Sequence, residues 1–189
     1  MADVLKVIQL GNPDLRRRAQ WVERSQDKCI QQLIDRLIAT AQAANGVGIA
    51  APQVAEPDRL FIVASRPNQR YPYAPAMEPT AMINPQILAH SDECVKGWEG
   101  CLSVPGIRGL VPRYREIEVK YTDRWGDLKH HLLSDFVARI FQHEYDHLDG
   151  LVFLDRIEST QDLMTEQEYQ AREGIESLER SNQSTVISS

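Results

Sequence analysis

The chain contains only three cysteines, Cys29, Cys94 and Cys101, and none forms a Cys-x-x-Cys pair. An odd, unpaired set argues against a disulfide framework and suits a reducing compartment. No apolar run is long enough to cross a bilayer. The opening Met-Ala-Asp-Val-Leu-Lys is not a basic segment followed by an apolar stretch, so a cytoplasmic protein is expected. No Arg/Ser-rich transit segment precedes Val4, which favours a bacterial over an organellar protein. Positive charge is in deficit: 21 Lys and Arg against 27 Asp and Glu leave a net charge of −6. That balance favours neither nucleic acid nor an anionic membrane as a partner. Internal repeats are absent, and so is a regular strand–helix alternation. The 189 residues are enough for one domain with a buried core.

What is present is the run Gln142-His-Glu-Tyr-Asp-His147. Two histidines four apart on a helix lie on one face, one turn above each other, and can reach a single divalent ion. Glu144 leans over the same position, where a carboxylate can take a proton from a metal-bound water. Average residue usage produces His-Glu-x-x-His by accident in about 0.5% of chains this long, so context must support it.

The helix that carries the motif supplies the first context. Ser134 or Asp135 is placed to cap its start, and Gly150 to end it. At helical spacing Phe136, Ile140, His143 and His147 form one stripe, with Val137, Phe141 and Leu148 beside it and Glu144 between. The remaining arc is Ala138, Arg139, Gln142, Tyr145, Asp146 and Asp149. Two imidazoles and a carboxylate on the apolar side of one helix are hard to satisfy without a metal or a comparable partner.

Elsewhere the pattern predicts a strand over 5–10, ended by Gly11-Asn12-Pro13. A helix capped by Ser25 carries Ile30, Leu33, Ile34, Leu37 and Ile38 and runs out near Asn45-Gly46. Residues 60–64 read as a buried strand, the proline-rich stretch 66–79 as a long surface loop, and 81–88 as a short element broken by Pro85. Ile117, Val119 and Tyr121 alternate as a half-buried strand that turns at 123–126 and returns over 128–133. After Asp155 a weak helix around Leu163, Met164 and Tyr169 is the most expected, and residues 170–189 read as a polar, disordered tail behind a catalytic domain at 1–169. The fold class is α+β: short antiparallel strands packed around a central metal-binding helix in a single domain.

A catalytic metal needs a third protein ligand and one position for water. Glu166 or Glu168, about twenty residues past His147, would give a zinc peptidase. Cys101, in Trp98-Glu-Gly-Cys-Leu-Ser-Val-Pro-Gly106, could instead bring a thiolate from a loop ended by the Pro-Gly turn. A closed, structural site would need a fourth ligand from Cys94, His90, His130 or His131. Residue types alone leave these open.

Gly46-Val-Gly-Ile-Ala-Ala-Pro-Gln53, Glu99-Gly-Cys-Leu-Ser103 and Gln142-His-Glu-Tyr-Asp-His-Leu-Asp-Gly150 resemble, in order and spacing, the three signature motifs of the peptide deformylases. The resemblance extends over most of residues 5–155, including Gly11–Arg16 and Arg108–Arg113, with Ile49 where the family more often has leucine. It implies that Cys101, His143 and His147 bind the metal, with water in the fourth site, and that Glu144 is the general base. It further implies that the Gln53 amide and the Leu102 N–H stabilise an oxyanion, and that Val47, Gly48 and Gly100 contact the substrate. Gly46 and Gly48 would let a substrate backbone approach closely. Phe136 and Ile140 would line a pocket for a methionine side chain, with Arg139 at its mouth. The implied ion is Fe(II), with zinc, nickel or cobalt as substitutes, and the implied partners are formylated nascent peptides at the ribosome exit.

Overall fold

A computed structural model describes residues 2–68 and 71–172. Its eight described strands are β1 (Gly48–Ala50), β2 (Leu60–Val63), β3 (Thr80–His90), β4 (Cys94–Cys101), β5 (Val104–Tyr114), β6 (Glu116–Thr122), β7 (Leu128–Ser134) and β8 (Leu163–Thr165). The helices α1 (Lys28–Ala43) and α2 (Asp135–Leu148) accompany them. The strands form an antiparallel five-stranded sheet, β1-β2-β3-β6-β7, and a separate three-stranded sheet, β4-β5-β8. Among the described residues no helix is long and apolar enough to cross a membrane.

The unbroken apolar run of β2 follows from helices on both faces of the sheet. Leu60 and Ile62 turn toward Ile30, Leu33, Ile34 and Leu37 of α1. Phe61 and Val63 turn the other way, onto Ala138, Ile140 and Phe141 of α2. Phe61 and Phe141 meet edge to face, with ring centroids 5.1 Å apart. A third apolar cluster, built on Val104, Val111, Val152 and Phe153, joins the small sheet to the chain after α2.

The small sheet also alters the environment of α2. Gln142 and Asp146, assigned by periodicity to the outer arc, are buried. Gln142 bridges the backbone of Tyr114 through both its amide atoms, and Asp146 accepts from Arg113 and Arg156. A helix held between two sheets has no solvent face along much of its length, so polar residues there must find partners.

Several local expectations are corrected. Residues 5–10 form no strand; Ile8 and Leu10 donate to the Gln53 and Ser103 carbonyls instead, both at 2.8 Å. Helix α1 starts after Asp27 rather than Ser25. Pro85 does not break β3: the strand continues through a register shift between Ile83 and Gln86, where a missing N–H is tolerated. Cys101 lies at the end of β4, not on a loop, and Pro105-Gly106 lies inside β5 rather than in a turn. Prolines 105 and 112 fit β5 because β8 pairs only with Ile107–Gly109. Leu163 and Met164 belong to β8, and the helical residues begin at Glu166 and run to Arg172. Of the tail over 170–189, all but 170–172 lies outside the described residues.

Candidate metal centre and active-site cleft

Three elements bring the candidate site residues together. The end of β4 supplies Cys101, α2 supplies His143, Glu144 and His147, and a 3₁₀ turn after β1 (Ala51–Val54) supplies Gln53. The Cys101 thiol, His143 and His147 each bring one ligand atom to a group whose members lie within 4.8 Å of one another. Cys101 Sγ is 3.3 Å from His147 Nε2, and the two imidazoles sit edge to face with centroids 5.1 Å apart. Among the described residues this is the one metal-competent group of its kind. Glu166 is not part of it: it forms a bidentate pair with Arg108. Glu168 is exposed and also outside the group, and so are Cys94, His90, His130 and His131.

A carboxylate behind the cluster orients it. Glu99 Oε2 lies 2.9 Å from His143 Nδ1, which leaves Nε2 to face the cluster. Glu99 is itself gripped by Arg113 (2.9 and 3.0 Å) and Arg139 (2.8 Å). Burial alone would raise its pKa. The Arg113 charge and the His143 contact override that and hold the carboxyl far below the usual carboxylate range. Arg113 continues to Asp146 (2.6 Å), and Asp146 to Arg156. Arg139, expected at the pocket mouth, does line the cleft, but its guanidinium is spent on Glu99 and on the carbonyls of Val95, Gly97 and Val111.

These residues fit a bound cation. Burial should push the Cys101 thiol up, yet the neighbouring His147 and His143 hold it well below the ordinary thiol range. The buried His147 Nδ1 and Glu144 Oε2 have no hydrogen-bond partner among the described residues. A soft sulfur and two imidazole nitrogens converging in a buried place form a donor set suited to a transition metal. Burial raises the Glu144 carboxyl to about 7 against the opposing pull of the two histidines.

An open cleft of about 530 Å³ adjoins the cluster. Gly46, Val47, Gly48, Gln53, Gly100, Leu102, Phe136 and Ile140 all line it, beside Cys101, His143 and Glu144; His147 lies buried beneath. The Ala50 N–H fixes Gln53 Oε1 at 2.8 Å, so the amide NH₂ turns toward Cys101 Sγ (3.4 Å) and Ser103 Oγ (3.2 Å). For Gly48 the structure gives a reason different from substrate approach. A Cβ there would lie 2.4 Å from Glu144 Oε1, so the glycine makes room for the carboxylate. Tyr71 and Trp98 also line the cleft. Neither belongs to a helical or alternating pattern that could have revealed it. Glu99 carried a signal only as the neighbour of Gly100 and Cys101.

Comparison with known proteins agrees with this geometry. Residues 4–162 match the family described as polypeptide deformylase. The chain is 69% identical over 168 residues to peptide deformylase 2 of Nostoc sp., covering 89% of this chain and 94% of that one. It is 47% identical over 170 residues to peptide deformylase 2 of Shewanella oneidensis, covering 90% and 91% of the two chains. Among solved structures, the Met-Ala-Ser-bound class I type b peptide deformylase of Acinetobacter baumannii superimposes with a TM-score of 0.81 at 46% identity, over 83% of this chain and all of that one (100%). The Thermotoga maritima peptide deformylase gives 0.74 at 36% identity, over 83% and 99%. A buried Cys–His–His cluster at the end of a cleft, in a chain so closely related to these enzymes, is that of a metal-dependent amide hydrolase acting on the N-formyl group of nascent polypeptides, and the chain belongs to the polypeptide deformylase family.

Proposed function

We propose that Cys101, His143 and His147 hold the catalytic cation and that Glu144 is the general base and acid of deformylation. The observation that carries this reading is a buried, unpartnered Glu144 carboxylate oxygen beside three converging ligand atoms. When bound, the cation supplies Lewis acidity, making a water acidic enough to lose a proton near neutral pH and polarising the formyl carbonyl.

The chain's own residues then handle protons and charge. Glu144 takes the proton from the attacking water as the new C–O bond forms at the formyl carbon. The carbonyl electrons move onto oxygen, where the Gln53 amide and the Leu102 N–H donate hydrogen bonds; one such donor is worth about 3–4 kcal/mol of barrier. As the C–N bond breaks, Glu144 returns its proton to the leaving nitrogen, so formate and a free amino terminus result. Burial raises this carboxyl, the direction that suits a group required to take a proton and return it.

Gly46, Val47, Gly48 and Gly100 are proposed to accompany the peptide backbone, and Phe136 and Ile140 to take the first side chain, methionine. The Acinetobacter relative seen with Met-Ala-Ser supports that assignment. The ion is proposed to be Fe(II), as the family resemblance implies, with zinc, nickel and cobalt as substitutes; metal analysis of anaerobically purified protein decides it. The bacterial relatives support a cytoplasmic enzyme meeting its substrates at the ribosome exit.

Glu144→Gln tests the central assignment, since it keeps size and removes the base. Formate release from formyl-Met peptides should fall at least ~10²-fold while bound metal stays constant. Retained activity in the metal-loaded variant removes Glu144 from the mechanism.

A further inference from the structure

Tyr71 on one side, and Glu166 and Tyr169 on the other, lie far apart in sequence, and none belongs to a signature motif. They meet at Arg108, a fully buried residue of β5. Its Nε and Nη2 make a two-pronged pair with Glu166 at 2.7 and 3.0 Å, while Nη1 donates to the Tyr71 hydroxyl at 2.9 Å. The guanidinium carbon lies 4.6 Å from the Tyr169 ring centre and 5.2 Å from that of Tyr71. Tyr71 in turn rests on Phe136, with ring centroids 5.1 Å apart, and both line the cleft.

Tyr71 lies outside any strand ladder; its backbone is tied to Asn68 and Ala74, and its ring and hydroxyl are seated by the contacts with Arg108 and Phe136. Arg108 is oriented by the carboxylate it pairs with, because a bidentate pair fixes a guanidinium in plane as well as in position. We propose that Glu166 and Arg108 are positioning residues that hold Tyr71 as one wall of the side-chain pocket. The C-terminal segment thereby contributes to selecting the first residue of the substrate. This rests on the reading that the Phe136 side of the cleft receives that side chain.

The test uses full-length, metal-loaded protein and formate release from formyl-Met-Ala-Ser and formyl-Ala-Ala-Ser. Wild type, Glu166→Gln, Tyr71→Phe and the double variant are compared, with metal content and thermal midpoint measured for each. Tyr71→Phe removes the hydroxyl that Arg108 grips, and Glu166→Gln removes the charge that orients Arg108. Each should lower the Met/Ala ratio of kcat/KM by about threefold or more, through a higher KM for the Met peptide and a kcat within about twofold. The double variant should be no worse than the more severe single, because both break one chain of contacts. Effects that multiply in the double variant, or a ratio unchanged in Glu166→Gln, would overturn the proposal. Should Glu166→Gln unfold, an unchanged ratio in Tyr71→Phe overturns it equally. A wild type that treats both peptides alike overturns the pocket reading, and the inference with it.

Discussion

Replacing Gly48 by Ala separates two reasons for a glycine at this position. The backbone of Gly48 is not in the left-handed region, so alanine can adopt the same conformation. The obstacle is steric. The added Cβ would lie 2.4 Å from Glu144 Oε1 and 2.9 Å from both Cγ and Cδ, whereas ordinary contact begins near 3.4 Å. The carboxylate must therefore retreat by about 1 Å, taking 2.4 from 3.4. Glu144 is buried and cannot swing into solvent without leaving the cleft. Misplacing a catalytic group by about 1 Å can cost ~10²-fold, equivalent to ~2.7 kcal/mol of barrier. The crowding itself should reduce stability by about 1–3 kcal/mol, as overpacking does. The assay is formate release across substrate concentration, paired with metal analysis and urea denaturation. The expected result is a ~10²-fold lower kcat, a small change in KM and full metal occupancy. If Gly48 serves only to let the substrate backbone approach, KM rises and kcat is unchanged, and that outcome would refute the steric reasoning.

Two further predictions concern stability and the C-terminal segment. Glu99→Gln leaves Arg113 and Arg139 without their buried carboxylate and should cost about 3–5 kcal/mol at pH 7 in urea denaturation. Because the folded-state pKa of Glu99 is depressed, its contribution is complete above the ordinary carboxylate value of 4.5 and declines as pH falls below it. The difference between variant and wild type should therefore narrow on acidification below pH 4.5; a gap independent of pH contradicts the assignment. Deleting residues 173–189 should leave metal content and kcat/KM on short peptides within about twofold, whereas deletion from 166 also removes Glu166 and Tyr169 and should raise KM. Equal kinetics for the two truncations would show that the segment beyond β8 does not influence the cleft.

The chemistry was legible in the amino-acid sequence because its spacing is local. Helical periodicity places His143 and His147 on one face whatever surrounds them, and the apolar repeat of α1 and the alternation in β6 each report a nearby solvent boundary. The three motifs, matched together to a family, supplied Cys101 as the candidate third ligand where residue types alone left Glu166 and Glu168 open. What local spacing cannot carry is whatever depends on which distant segment arrives. Gln142 and Asp146 read as an outer arc because nothing nearby in sequence says that a second sheet covers them. Pro105-Gly106 of β5 reads as a turn because the strand's short partner β8 lies some fifty residues later. The pairing of Glu166 with Arg108, the seat of Tyr71 against Phe136 and the room that Gly48 leaves for Glu144 are contacts across long loops. Only the tertiary fold, which brings those side chains within a few ångströms, could decide them.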